Sequence, residues 1–323
     1  MKIAVITPMY NEIGHVHNYF TNVLKDNIYD DIVILDDGST DGTWEVLQTY
    51  SRKYNNVHVY RNEKNSIINH GLNRWMVLSE LAAKFDPTWI NARAADTIYS
   101  YGAKDVFRNR LQRAVDEGVH LLCLPWVNVW RSNTWYRCDG VWGNWAHTHA
   151  ITSLWRFHKN FNWDEAHKIA GMHQGFVRPT SLGFDTNIKL KLEAFNDINK
   201  VPWPVVILHY GMRYDELILD RFRKNMEEAE ASYKIGRSFG MPPPSMMPPV
   251  VQWPVHNGYM AFFEFNAKLK RVLDIWFDAP IDYEESIPKL LDLYDVIKEY
   301  NSQRAEEFRH LYNRQGGMYE AKL

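Results

Sequence analysis

Over its first hundred residues the chain alternates short β-branched apolar runs with helical apolar periodicity, which restricts it to βαβ units around a mainly parallel sheet. Ile3 to Thr7, Ile32 to Leu35, Val57 to Tyr60 and Trp89 to Ala92 read as strands. Between them, Gly14 to Lys25 places Val16, Phe20, Val23 and Leu24 on one helical face. Asp41 stands where a cap is wanted before a helix carrying Trp44, Leu47 and Tyr50, and Leu72 to Phe85 reads as a third helix. The class is α/β, with a half-sheet of nucleotide-binding style.

Beyond residue 119 the pattern changes to an apolar strand, then Gly-, Asn-, Trp- and His-rich sequence up to a strand at Val205 to His209. Asp215 to Lys234 reads as a helix. Met241 to Pro254 holds six of the 14 prolines, a density no helix or central strand tolerates. The organisation expected is therefore a domain over 1–235, divided into a ligand-binding half (1–118) and an acceptor half (119–235), then a Pro-rich linker (236–258) and a helical extension (259–323). With 46% hydrophobic and 24% charged residues the chain has the composition of a folded protein. The formal net charge of −2 gives no whole-chain footprint for nucleic acid. No run reaches the roughly 20 apolar residues of a membrane span. Two cysteines, Cys123 and Cys138, cannot make a disulfide framework and suit a reducing compartment, so a cytoplasmic protein is expected.

The residues after the first strand are Thr7-Pro8-Met9-Tyr10-Asn11-Glu12, with no glycine-rich turn to admit a pyrophosphate, which disfavours hydride transfer with a dinucleotide. There is no P-loop lysine motif either. After the second strand comes Asp36-Asp37-Gly38-Ser39-Thr40-Asp41-Gly42-Thr43, which puts carboxylates at the carboxyl end of a parallel strand, where open α/β sheets bind ligands. Such a carboxylate can accept the ring N–H of a uracil. The bland alternative is that these are turn and cap residues.

Together the two segments resemble the opening of the family 2 glycosyltransferases of the GT-A fold, a Rossmann-like, mainly parallel α/β architecture. The resemblance covers 1–110 well and 150–235 more loosely. It implies a nucleotide-sugar donor, usually UDP-linked, and a divalent metal, Mn2+ or Mg2+, that neutralises the diphosphate leaving group. By resemblance Asp37 takes the uracil N–H with Asp36 beside it, Thr7, Pro8 and Tyr10 line the nucleoside pocket, and Asn11 and Glu12 sit next to them. The family's Asp-x-Asp metal motif falls on Ala94-Ala95-Asp96, so the first carboxylate is replaced by Ala94 and Asp96 remains. His209, at a strand end, is a candidate second ligand.

The acceptor side is expected in the Trp-rich centre, where seven of the 13 tryptophans lie between Trp126 and Trp163. Trp142, Trp145 and Trp155 are candidates to stack on a saccharide or other hydroxyl-bearing acceptor. Direct displacement with inversion needs a base on the acceptor hydroxyl, and Glu165 or Asp164 is the candidate, with Asp185 behind them. Two alternatives stand beside this reading. One moves the acceptor to a modified base of DNA, with Arg108, Arg110 and Arg113 on phosphates. The other, prompted by Ala94, is a catalytically silent sugar or nucleotide binder.

Overall fold

A computed structural model describes residues 1–63, 74–99, 103–124, 126–128, 135–137, 154–157, 190–195, 199–201, 205, 207–209, 269–271 and 319–322. In chain order the elements are β1 (Ile3–Met9), α1 (Ile13–Asp26), β2 (Asp31–Asp36), α2 (Thr43–Lys53), β3 (Val57–Arg61), α3 (Arg74–Ala83), β4 (Trp89–Ala92), β5 (Thr97–Tyr99) and α4 (Ala103–Asp116). Then follow β6 (Leu121–Cys123), β7 (Trp126–Asn128), β8 (Trp135–Arg137), β9 (Leu154–Arg156), β10 (Leu190–Ala194), β11 (Ile207–His209), β12 (Leu269–Arg271) and β13 (Tyr319–Lys322).

Successive strand residues face opposite sides of a sheet, so the unbroken apolar runs of β1, β2 and β4 require cover on both faces. Ile3, Val5 and Met9 join Val16, Tyr19, Phe20 and Val23 of α1 and Phe107 and Leu111 of α4 in one buried cluster. The intervening residues Ala4 and Ile6, with Val33, Leu35 and Ile90, are buried outside that cluster, and α3 packs across β1, β2 and β4 with Leu78 and Ala82 buried. The result is a helix–sheet–helix sandwich.

The main sheet has eight strands in the order β13-β10-β6-β9-β4-β1-β2-β3. All its pairings are parallel except those of β9, which runs antiparallel to both β4 and β6. A second sheet, β5-β11-β7, sets His209 opposite Thr97. Chain order runs outward from β1 to β2 and β3, then returns to β4 on the other side, so the sheet reverses direction at β1. Ligands of open α/β sheets bind at such a reversal, outside the carboxyl ends of the strands.

The four N-terminal strands and three helices fall where periodicity places them. The expected strand at Val205 to His209 is β11, and the apolar run from Val119 is split into β6 and β7. Five elements before the C-terminal segment were not anticipated: β5, α4, β8, β9 and β10. In the segment expected to be a helical extension, the described residues are the strands β12 and β13, and β13 closes the far edge of the main sheet. The helix expected over Asp215 to Lys234 and the Pro-rich linker lie outside the described residues. No helix among the described residues is long and apolar enough to cross a membrane.

Candidate functional site

Four strand ends meet at the reversal: β1 delivers Tyr10 to Glu12, β2 delivers Asp36 and Asp37, β3 delivers Asn62, and β4 leads into the turn that carries Asp96. The first two loops are laced together. The Asn11 backbone N–H donates to Ser39 Oγ at 2.9 Å, Thr40 N–H donates to Asn11 Oδ1 at 2.8 Å, and Glu12 N–H donates to Thr43 Oγ1 at 2.9 Å. Asp37 N–H donates to the Met9 carbonyl at 2.8 Å, and Ile13 N–H to Asp41 Oδ2 at 3.0 Å. Asp41 Oδ1 also accepts from the Thr43 N–H and hydroxyl, so one carboxylate serves the starts of both α1 and α2. Gly42, with φ of 97°, makes the turn between them in a conformation that side chains rarely adopt. Asn11, Ser39, Asp41 and Thr43 are thus the frame of the site, as the turn-and-cap reading of the second motif has it for Asp41.

Asp36 and Asp37 are both fully buried. Asp36 Oδ2 accepts from Ser39 N–H at 3.3 Å and lies 3.2 Å from Arg61 Nε, while its Oδ1 is buried with no hydrogen-bond partner among the described residues. Burial pushes its carboxyl above the ordinary value, against the lowering effect of Ser39 and Arg61. Arg61 is held in turn by the Ser39 carbonyl at 3.0 Å and by the face of Trp44, 5.0 Å away. Asp37 Oδ1 accepts from Asn62 Nδ2 at 3.0 Å, and its Oδ2 stands 3.7 Å from Arg74. Asn62, Arg74 and Arg61 were missed in the sequence. A polar pair closing an otherwise apolar β3 was the available signal.

Asp96 and His209, separated by 113 residues, are brought together: His209 Nε2 lies 3.0 Å from Asp96 Oδ2. Both are buried, at 4% and 5% exposure. The contact is a buried hydrogen bond or ion pair, and its length also equals the roughly 3.0 Å between adjacent ligands of an octahedral cation with bonds of about 2.1 Å. An imidazole nitrogen and a carboxylate oxygen suit Mn2+ and are tolerated by Mg2+. Among the described residues no cluster of three or more His, Cys, Asp or Glu surrounds this point.

Pro8, Tyr10 and Glu12 sit partly exposed at the edge, as a pocket lining requires. Thr7 does not belong with them. Its side chain is buried and its hydroxyl is 2.7 Å from the Tyr19 hydroxyl, so it packs beneath α1. Trp155 is a second correction: it is wholly buried in β9 and offers no face to an acceptor. A third concerns the arginines of α4. Arg110 is buried, donating to Glu193 at 3.0 Å and to the Phe195 carbonyl at 3.1 Å, Arg108 binds Asp30, and Arg113 binds Glu117. Arg110 is thus engaged in the core, whereas Arg108 and Arg113 stay partly exposed beside their carboxylate partners. Glu165, Asp164, Asp185, Trp142 and Trp145 lie outside the described residues.

Residues 4–76 match the family model described as Glycosyl transferase family 2. An uncharacterized glycosyltransferase of Mycoplasma genitalium is 24% identical over 143 residues, 42% of this chain and 44% of that protein. A Bacillus subtilis protein assigned by name to teichuronic acid biosynthesis, glycosyltransferase TuaG, is 37% identical over 65 residues, 20% of this chain and 26% of that protein. The chain thus matches less than half the length of either curated relative. Among solved structures, a mannosyltransferase of Pyrobaculum calidifontis in complex with GDP-Man and Mn2+ superposes with a TM-score of 0.40 at 13% identity, over 94% of this chain and 83% of that one. Residues 1–349 of S. aureus TarS in complex with UDP give a TM-score of 0.37 at 19% identity, over 48% and 47%.

Proposed function

From the match of residues 4–76 to the Glycosyl transferase family 2 model, we propose that the chain moves a sugar from a UDP-linked donor to an acceptor hydroxyl in one inverting displacement. The observation that carries the reading is the meeting of Asp96 and His209 at 3.0 Å. Each is read as a metal ligand on separate grounds, and nothing in their sequence separation requires them to touch.

In this reading Pro8, Tyr10 and Glu12 border the nucleoside, with Asp36 and Asp37 as acceptors for the ring N–H. Asp36 Oδ1 is the atom that gains most from such a donor, because it is buried without a partner among the described residues. Asp96 and His209 hold Mn2+ or Mg2+. When bound, the cation supplies charge neutralisation to the departing diphosphate. Glu165 or Asp164 takes the proton of the acceptor hydroxyl as it attacks the anomeric carbon, while Trp142 and Trp145 offer faces to the acceptor. The acceptor is a saccharide or another hydroxyl-bearing molecule.

The test is UDP release from a panel of UDP-sugars in Mn2+ or EDTA, followed by NMR assignment of the product anomer. Inverted configuration is expected, with Asp96→Asn losing the Mn2+-stimulated turnover and His209→Ala losing less. Retained configuration would exclude a single displacement, and full Mn2+ stimulation in Asp96→Asn would remove Asp96 from the metal motif.

A further inference from the structure

Arg93 is the anomaly next to this site. On β4 the residues Trp89 and Asn91, followed by Arg93 just beyond the strand, share the face turned to the main core by the two-residue strand period. A guanidinium there is 3% exposed, and burying a charge is costly unless its donors and its flat faces are used. Both are used. The Tyr99 ring lies 4.8 Å and the Tyr19 ring 5.8 Å from the guanidinium carbon. The Nε and Nη2 atoms both donate to the Thr97 carbonyl, at 3.2 and 3.0 Å. The flanking rings are pinned in their turn: Tyr99 and Tyr29 each donate a hydroxyl to Asn91 Oδ1 at 2.7 Å, and Tyr19 is tied to Thr7.

The residue whose carbonyl Arg93 grips also closes the turn that carries Asp96. Thr97 N–H and hydroxyl return to the Ala94 carbonyl at 3.2 and 2.7 Å, folding residues 94–97 into a tight loop. Thr97 is also the register partner of His209 across the antiparallel pair β5 and β11. Thr97 thus belongs both to the turn that presents Asp96 and to the strand pair that presents His209. A fork of two donors to that carbonyl, on a guanidinium wedged between two fixed rings, sets the turn against the strand.

Resting on the metal reading above, we propose that Arg93 is the positioning residue of the Asp96–His209 pair. It orients Asp96 from beneath the turn, in a motif where Ala94 leaves no second carboxylate to share that task. Its role is that of a positioning residue, exerted through its two bonds to the Thr97 carbonyl.

The test uses the full chain carrying Arg93→Met, which keeps an unbranched stem without donors, and Arg93→Lys, which keeps the charge but cannot fork. The first readout is metal-free: the side-chain 15N and 1H resonances of His209, which report its contact with Asp96. They are expected to shift in both variants, more in Arg93→Met. The second is Mn2+ affinity by electron paramagnetic resonance in saturating UDP, expected to weaken roughly 10- to 100-fold, the range for lost outer-shell partners, with UDP affinity in EDTA changed less than about twofold. Lowered melting temperature with unmoved His209 resonances and unchanged Mn2+ affinity would leave Arg93 a packing residue and overturn the inference while sparing the metal reading. Shifted His209 resonances in the two variants, with a wild-type chain that binds no Mn2+, would sustain the positioning role and overturn the metal reading instead. If Arg93→Met does not fold, Arg93→Lys decides between these outcomes alone.

Discussion

Asp36 and Asp37 are adjacent and equally buried, yet their partners differ: Arg61 and Ser39 hold one, Asn62 and Arg74 the other. Asp37→Ala is expected to weaken UDP binding by about 1–3 kcal/mol, through a buried donor left without its acceptor. Calorimetry showing undiminished UDP affinity would take Asp37 out of the site. The sequence singles out Asp96 by its place in the family's Asp-x-Asp motif, as the resemblance implies, and His209 because it closes an apolar strand. Arg93 could not be read that way. A lone arginine ordinarily signals a solvated surface, and its burial depends on Tyr19 and Tyr99, whose approach no local pattern encodes. Trp155 failed for the opposite reason, since a large aromatic serves a core as readily as a ligand platform.

Between single side chains and the sheet, two polar clusters fix how the elements meet. Asp41 caps α1 from another loop, so the two motif loops form one unit. Burial acts to raise its carboxyl, but the hydrogen bonds from Thr43 and Ile13 bring it below the ordinary value. Asp41→Ala is expected to cost about 1 kcal/mol of stability, with Asp41→Asn milder, both read from urea unfolding. No change in midpoint would mean that the caps contribute nothing. The second cluster ties the end of α4 to β10. Glu117 accepts from Lys200 at 2.7 Å and Arg113 at 2.9 Å, and these bonds hold its carboxyl down to about 2. A depressed carboxylate contributes stability that is present above its unfolded pKa of 4.5 and is lost as pH falls toward about 2. The melting temperature of the wild type should therefore exceed that of Glu117→Gln near neutrality, with the gap closing over that window. A gap independent of pH would assign the effect to packing. The same helix shows why α4 escaped the sequence: its buried stripe of Val106, Phe107, Leu111 and Ala114 includes Arg110, and a charge on the apolar face hides the period. At three residues, β5 is too short to show a period of two.

For the molecule as a whole, the βαβ alternation specifies that the N-terminal strands are parallel but is silent on their order. The order depends on pairings such as Ile3 with Trp89 and Leu192 with Leu121, whose partners are distant in sequence, and on β9 entering between β4 and β6 against the grain of the sheet. That order nonetheless decides function, since it puts the reversal at β1 and so brings the loops of β1, β2 and β4 to one edge. The edge joins two half-sites. In the proposed reading the nucleoside side is made by β1 and β2, whereas the cation side has only Asp96 and His209 among the described residues, too few for an octahedral shell. If the diphosphate completes that shell, UDP and Mn2+ must each tighten the other by the same factor, as linkage requires, and couplings of this kind run to about 5–150-fold. The measurement is the UDP dissociation constant in EDTA and in saturating Mn2+, and the Mn2+ constant with and without UDP, corrected for the Mn2+–UDP complex in solution. Two equal ratios well above one are expected in the wild type, collapsing toward one in Asp96→Asn while UDP affinity in EDTA stays near the wild-type value. A UDP constant indifferent to Mn2+ would separate the half-sites and place the Asp96–His209 pair away from the diphosphate.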